Sequence, residues 1–316
     1  MRILLTGASS FTGAWFARAL AERGHQVTAV FPRRQAEYAD LRARRVAWVC
    51  ERAEPVFECR FGDERFLHTL AERGPFQRLC HHAAQVENYK SPDFDVVGAL
   101  AANTHQARRV FEALAAQSGA LVVTGSVFEP GEGAGSQGLP AFSPYGLSKA
   151  LSHQVLAYHA RSANVAYARF VIANPFGPLE EPRFTHYLVK NWFAGLTPAV
   201  NTPEYVRDNI HVSLLAQVYA RFVESEFRPA DAPARCGPCG YVETQGAFAQ
   251  RFAAEMRPRL GLPCHVELRR QTEFPEPRIR INTDPPDAAA LGWSESHAWD
   301  ELAGYYRGLF GEGARG

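Results

Sequence analysis

Short apolar runs alternate with segments of helical spacing through the first half of the chain. Residues 3–6 form the first run, and Trp15, Phe16, Ala19 and Leu20 recur at helical spacing within residues 12–23. Residues 27–31, 55–60, 78–82 and 120–124 predict further strands. A long helix is expected over 94–116 and another over 144–161, ahead of a strand at 165–172. Strands spaced by helices predict an α/β fold, a doubly wound parallel sheet with right-handed crossovers and helices on both faces. Beyond Asn174 the pattern changes. Pro175, Gly177, Pro178 and Pro182 break it, and residues 197–205 read as loop. Helical spacing returns at 210–223, 245–256 and 296–309. The predicted division is a cofactor domain of residues 1–172 plus about 208–235, and a smaller C-terminal α/β substrate-binding lobe of about 173–207 and 236–316.

Composition narrows the classes. The 316 residues carry 34 Lys and Arg against 33 Asp and Glu, so no cationic excess exists to neutralise a nucleic-acid backbone. No apolar stretch has the length of a membrane span, and no signal-peptide layout precedes the first strand, so a soluble cytoplasmic enzyme is expected. Six cysteines are too few for a disulfide framework. Cys236-Gly237-Pro238-Cys239 lacks the helix start that would activate a thiol and a second ligand pair for zinc. It is read as structural, and no metal is expected.

Thr6-Gly7-Ala8-Ser9-Ser10-Phe11-Thr12-Gly13 joins the first strand to the first helix. Gly7 suits a tight turn, Gly13 close helix–strand packing, and the helix N-terminus offers free N–H groups to a pyrophosphate. Ser10 stands where a middle glycine is expected. The second strand ends in Arg33-Arg34 with no acid, which tilts the expectation to NADP(H) over NAD(H). Gly62-Asp63 places a carboxylate where it could meet the adenine.

Tyr145 and Lys149 lie four residues apart, on one helix face. A phenol is a poor base near neutrality, and a neighbouring ammonium favours its phenolate, so the pair can move a proton while a nicotinamide moves a hydride. Thr124, ending the fifth strand, can offer a hydroxyl to the same substrate oxygen.

With these residues the sequence resembles the extended short-chain dehydrogenases/reductases, in their nucleotide-sugar epimerase/dehydratase group. The resemblance runs through residues 6–13, Gly62-Asp63, His81-His82-Ala83-Ala84, Asn103, residues 124–128 and 145–149, Asn174-Pro175-Phe176-Gly177-Pro178, residues 207–212 and Leu291-Gly292-Trp293. It implies a Rossmann domain, a nicotinamide cofactor held by residues including Ser9, Phe11, Thr12, Ala83 and Ala84, and a nucleoside-diphosphate sugar substrate. Tyr145 would be the acid/base, Lys149 its electrostatic partner and ribose anchor, and Thr124 the hydroxyl on the reacting oxygen. Asn174 and Arg207 would contact the diphosphate, joined by Arg270 or else Arg280. Gln85, Asn88, Tyr89 and Ser126 would line the sugar pocket. A homodimer through helices near 94–116 and 144–161 is also implied.

One departure bears on the reaction. Dehydratases of this group carry Asp-Glu after the threonine, and here Gly125-Ser126 stands instead, which disfavours elimination. A 4-epimerase or a 4-keto-sugar reductase remains. The alternatives are an NADPH-dependent reductase of a non-sugar carbonyl and a non-catalytic dinucleotide sensor, which has no need of the Tyr145–Lys149 pair.

Overall fold

The computed structural model describes residues 1–133, 140–229 and 233–311. They divide into two compact units, one of Met1–Ile172 with Ala216–Gly237 and one of Ala173–Leu215 with Pro238–Gly316. In the first unit the elements run β1 (Arg2–Thr6), α1 (Phe11–Glu22), β2 (Gln26–Val30), α2 (Asp40–Cys50), β3 (Glu54–Val56), α3 (Glu64–Glu72), β4 (Arg78–His81), α4 (Val96–Asn103), α5 (Ala107–Ala115), β5 (Ala120–Ser126), α6 (Pro144–Ser162) and β6 (Tyr167–Ile172). The chain continues through β7 (Asn174–Phe176), α7 (Phe184–Phe193), β8 (Ala199–Val200), β9 (Val206–His211) and α8 (Val212–Val223). After α8 come β10 (Ala234–Cys236), β11 (Tyr241–Thr244), α9 (Gln245–Leu260), β12 (Glu267–Leu268), β13 (Ile279–Arg280) and α10 (Glu295–Phe310).

Seven parallel strands in the order β3-β2-β1-β4-β5-β6-β10 make the first unit's sheet. That order, with helices between successive strands, is the doubly wound Rossmann arrangement expected of the pattern. Strands buried on both faces explain the near-continuous apolar runs: every residue of β5 is buried. One side is packed by Phe66, Leu70, Phe111, Leu114 and Leu156 with Val123 of β5. Around the neighbouring Phe170, Phe16 stacks on Tyr219 of α8 at 3.9 Å between ring centroids.

Three expected elements differ. The helix expected over 94–116 is two helices, because Gln106 adopts a left-handed conformation (φ 47°) and the Asn103 carbonyl accepts from the His81 ring at 3.1 Å. The third strand stops at Val56: the chain turns at Glu58 (φ 55°), and Cys59 N–H returns to the Phe31 carbonyl. The helix expected from 210 begins at Val212, since Ile210 and His211 pair with Pro175 and Phe176 on β7.

In the second unit β9 pairs with β7, β11 and β13, and Phe176, Trp192, Phe248, Phe252, Trp299 and Tyr306 fill an aromatic core. Glu180 lies buried in this unit, taking hydrogen bonds from Thr185, from Tyr306 at 3.2 Å and from Gly177 N–H at 3.3 Å. Burial outweighs those donors and raises its carboxyl to about 7. A carboxyl that titrates higher folded than unfolded binds extra protons in the native state, so stability is lost as pH rises from about 4.5 to 7. The loss amounts to about 3 kcal/mol if the unfolded value is ordinary. Urea unfolding between pH 5 and 8 should show this slope, and Glu180→Gln should flatten it.

Candidate active site

The loop from Gly7 to Gly13 is closed by contacts that leave no space for side chains at either end. A Cβ on Gly7 (φ 79°) would meet Ala83 N at 2.7 Å, and one on Gly13 would meet the Gly7 carbonyl oxygen at 2.2 Å. Ser10 is explained by its position as N-cap of α1. Its backbone is extended, needing no glycine, and its Oγ accepts from Gly13 N–H at 3.1 Å. Phe11 and Thr12 open the helix as buried residues, while Ser9 is half-buried. This strand–loop–helix geometry fits the pyrophosphate of a dinucleotide at a helix N-terminus.

Two adjacent histidines organise the floor of the site. Thr6 Oγ1 accepts from Ala83 N–H at 3.0 Å and meets His81 Nδ1 at 2.9 Å, while His81 Nε2–H donates to the Asn103 carbonyl. His82 Nε2 lies 3.1 Å from Ser10 Oγ and 2.9 Å from Thr12 Oγ1, and its Nδ1 lies 3.0 Å from Thr124 Oγ1. Burial lowers both rings to about 3, so both are neutral at physiological pH. Ser10 Oγ also lies 2.9 Å from the Gly7 carbonyl oxygen, and the neutral His82 ring offers one donor and one acceptor to Ser10 and Thr12 on one edge and to Thr124 on the other. The Thr124 hydroxyl is buried and lies 3.0 Å from His82 Nδ1.

The other face of Thr124 serves Lys149, whose Nζ donates to its backbone carbonyl at 2.6 Å. Burial lowers the Lys149 pKa, the negative charge of Glu129 opposes that shift, and Arg169 adds to it. One helical turn earlier Tyr145 is half-buried, with Tyr89, Phe94 and Phe128 edge-on to it at centroid distances of 5.5, 5.9 and 6.0 Å. Ser143 caps α6 and Pro144 occupies its first turn, so the helix starts where it must to carry Tyr145.

Glu129 was not singled out by the sequence, and it explains Gly125. Its carboxylate accepts from Ser126 N–H at 2.8 Å and pairs with Arg169 at 2.6 Å, and a Cβ on Gly125 would come within 3.0 Å of it. Arg169 also pairs with Glu132 at 2.8 Å, and Glu132 with the exposed Arg235 at 2.7 Å, so one network ties the loop after β5 to β6 and β10. Ser126 Oγ accepts from Phe128 N–H at 3.3 Å.

The remaining candidates separate. Asp63 spends its carboxylate as the N-cap of α3, accepting from Phe66 N–H at 2.7 Å and Arg60 N–H at 2.8 Å. Arg33 and Arg34 are exposed, and Arg34 is ion-paired to Glu58 at 2.8 Å. Ala84 is half-buried; Gln85 and Asn88 are exposed, and of the three pocket candidates after β4 it is Tyr89 that meets Tyr145. In the second unit Asn174 Nδ2 donates to the Asp208 carbonyl at 3.3 Å, and buried Arg207 and Arg280 face each other across β9 and β13. Both guanidinium groups reach Glu276, at 3.2 and 3.0 Å. Burial, with Arg280 beside it, lowers Arg207 to about 10. Arg280 is thus the arginine beside Arg207, whereas Arg270 is exposed. Cys236 ends β10, and burial raises the Cys239 thiol, the wrong direction for a reactive thiolate. Among the described residues no group of three or more His, Cys, Asp or Glu could hold a metal, and no helix is long and apolar enough to cross a membrane.

A parallel sheet with a glycine-turned phosphate loop and a Tyr–Lys pair on the helix after β5 defines a nicotinamide-dinucleotide enzyme of the extended short-chain dehydrogenase/reductase type. The profile of the NAD dependent epimerase/dehydratase family matches residues 3–231, and the chain belongs to that family. No curated protein matches it by sequence. Among solved structures, the UDP-glucose 4-epimerase of Thermotoga maritima with UDP-glucose is similar at a TM-score of 0.71 and 18% identity, covering 98% of this chain and 99% of that one. A Bacillus cereus UDP-glucuronic acid 4-epimerase mutant, in complex with a fluorinated UDP-sugar and NAD, reaches 0.74 at 15% identity, covering 98% and 100%. The dTDP-glucose 4,6-dehydratase DesIV of Streptomyces venezuelae, with NAD bound, reaches 0.69 at 18% identity, covering 99% and 98%.

Proposed function

We propose that this protein is a nucleotide-sugar 4-epimerase that works with a retained NAD. The observation that carries the reading is the commitment of the Glu129 carboxylate, the acid that follows Gly125-Ser126, to Ser126 N–H and Arg169. Tyr145 and Lys149 stand ready to move one proton, while the Glu129 carboxylate is buried and ion-paired. Elimination of water needs a second acid/base beside the first, and Glu129 is poorly placed to serve. Hydride transfer at one carbon needs only the phenol.

The nicotinamide, held on Gly7–Gly13, would supply reversible acceptance of a hydride. Tyr145 takes the sugar hydroxyl proton as the carbonyl forms and returns it when the carbonyl is reduced again. Lys149, fixed by the Thr124 carbonyl, favours the phenolate in the first half of that cycle. Arg207 and Arg280 suit a diphosphate, because the Glu276 carboxylate already occupies an anion position shared by their guanidinium groups. The UDP-sugars bound by the similar structures support that substrate class. Exposed Val97, Leu147 and Tyr158 on α4 and α6 support a homodimer.

Net reduction of a keto sugar by NADPH is the competing reading, and it rests on Arg33 and Arg34. Denaturing the purified protein and weighing any dinucleotide released separates the two. Near-stoichiometric NAD is expected; an empty protein that binds NADPH better than NADH would overturn epimerisation in favour of reduction.

A further inference from the structure

We propose that His82 is a positioning residue that locks the phosphate loop to the end of β5, so that the dinucleotide and Lys149 are set by one ring. The inference rests on the dinucleotide reading above but not on the identity of the sugar. One edge of the imidazole meets Ser10 and Thr12 at the start of α1, at 3.1 and 2.9 Å. Its opposite edge meets Thr124 Oγ1 at 3.0 Å. Thr124 in turn presents its carbonyl to Lys149 at 2.6 Å. Three consecutive hydrogen-bonded links therefore join the residues at the pyrophosphate position to the ammonium that sets the acidity of Tyr145.

The ring has little freedom to do anything else. Phe16 stands edge-on to it at 5.1 Å, and a Cβ on Gly13 would come within 2.8 Å of its Cδ2. Both nitrogens are engaged, one as donor and one as acceptor, and this requires the neutral ring. The arrangement also explains why serine replaces glycine at position 10. A glycine would satisfy the turn equally well but would give His82 Nε2 one partner fewer and leave α1 without its cap.

The test is a coupling measurement on the whole protein, read as NAD⁺ affinity by calorimetry. Thr124→Val removes the hydroxyl at the far edge of the ring while keeping its shape. It is expected to weaken NAD⁺ binding up to about tenfold, the effect of one lost buried hydrogen bond. In a His82→Phe background, where the ring cannot transmit, the same change should leave NAD⁺ affinity unaltered. An equal effect of Thr124→Val in both backgrounds, or none in either, would overturn the proposal while leaving the dinucleotide reading intact. A protein that binds no dinucleotide would overturn both. Should His82→Phe fail to fold, ¹⁵N spectra of the wild-type ring decide. A single neutral tautomer unchanged between pH 5 and 8, and shifted by Thr124→Val, is expected. A ring that titrates near the ordinary histidine value, or that ignores Thr124→Val, would overturn the coupling.

Discussion

Tyr145→Phe is expected to lower kcat by about 10²–10⁴-fold, the range for removal of a positioned acid/base, and to leave NAD⁺ affinity and thermal stability almost unchanged. The ring is held by edge-on contacts with Tyr89, Phe94 and Phe128, which phenylalanine retains. In the proposed reaction, what is lost is the oxygen that exchanges a proton with the sugar. Turnover of a UDP-sugar within threefold of wild type would remove Tyr145 from the reaction. The wild-type pH profile carries a second signature. Burial lowers the Lys149 pKa from 10.5, so the ammonium discharges at a lower pH than in a free lysine, and Tyr145 then loses its charged partner. Activity should therefore fall on the alkaline side before the ordinary lysine range is reached.

Arg169→Ala should cost about 3–5 kcal/mol of stability, measured by urea unfolding, because it strands charge in the interior. Its guanidinium is 11% exposed and bridges Glu129 and Glu132, which are 2% and 7% exposed. Water cannot replace it at those carboxylates without opening the loop that follows β5. The deficit should narrow in acid, where a stranded carboxylate can take up a proton. Removing the charges together, as Arg169→Met with Glu129→Gln and Glu132→Gln, should recover most of the loss. An Arg169→Ala protein as stable as wild type would mean that the network contributes nothing net.

The parallel sheet was readable because strands buried on both faces leave unbroken apolar runs. Helix α2 was harder to see, since Arg42, Arg44 and Arg45 interrupt its apolar positions and just three of its residues are buried. The helix break at Asn103 leaves no mark in the apolar spacing, because its cause is a carbonyl diverted to a histidine 22 residues earlier. The site divides in the same way. Gly7, Gly13, Tyr145 and Lys149 announce themselves by local spacing. Glu129, Arg169, Glu132 and Arg235 become a unit only when β5, β6 and β10 are side by side. Nor does spacing say which way a hydroxyl points. Thr124 ends β5, and its hydroxyl meets His82, one of a histidine pair otherwise noticed only as part of a motif.

The path of the chain constrains how the protein can be made. The first unit receives α8 beyond residue 215 and β10 only after residues 173–215 of the second unit have been traversed. A nascent chain that has just completed β6 therefore exposes the edge where β10 will pair and lacks Tyr219, the ring on which Phe16 stacks. Such an edge invites pairing with another chain. Fragments ending near residue 172 should aggregate on expression. A variant with residues 173–215 replaced by a short linker and ending after residue 237 should yield a soluble dinucleotide-binding unit.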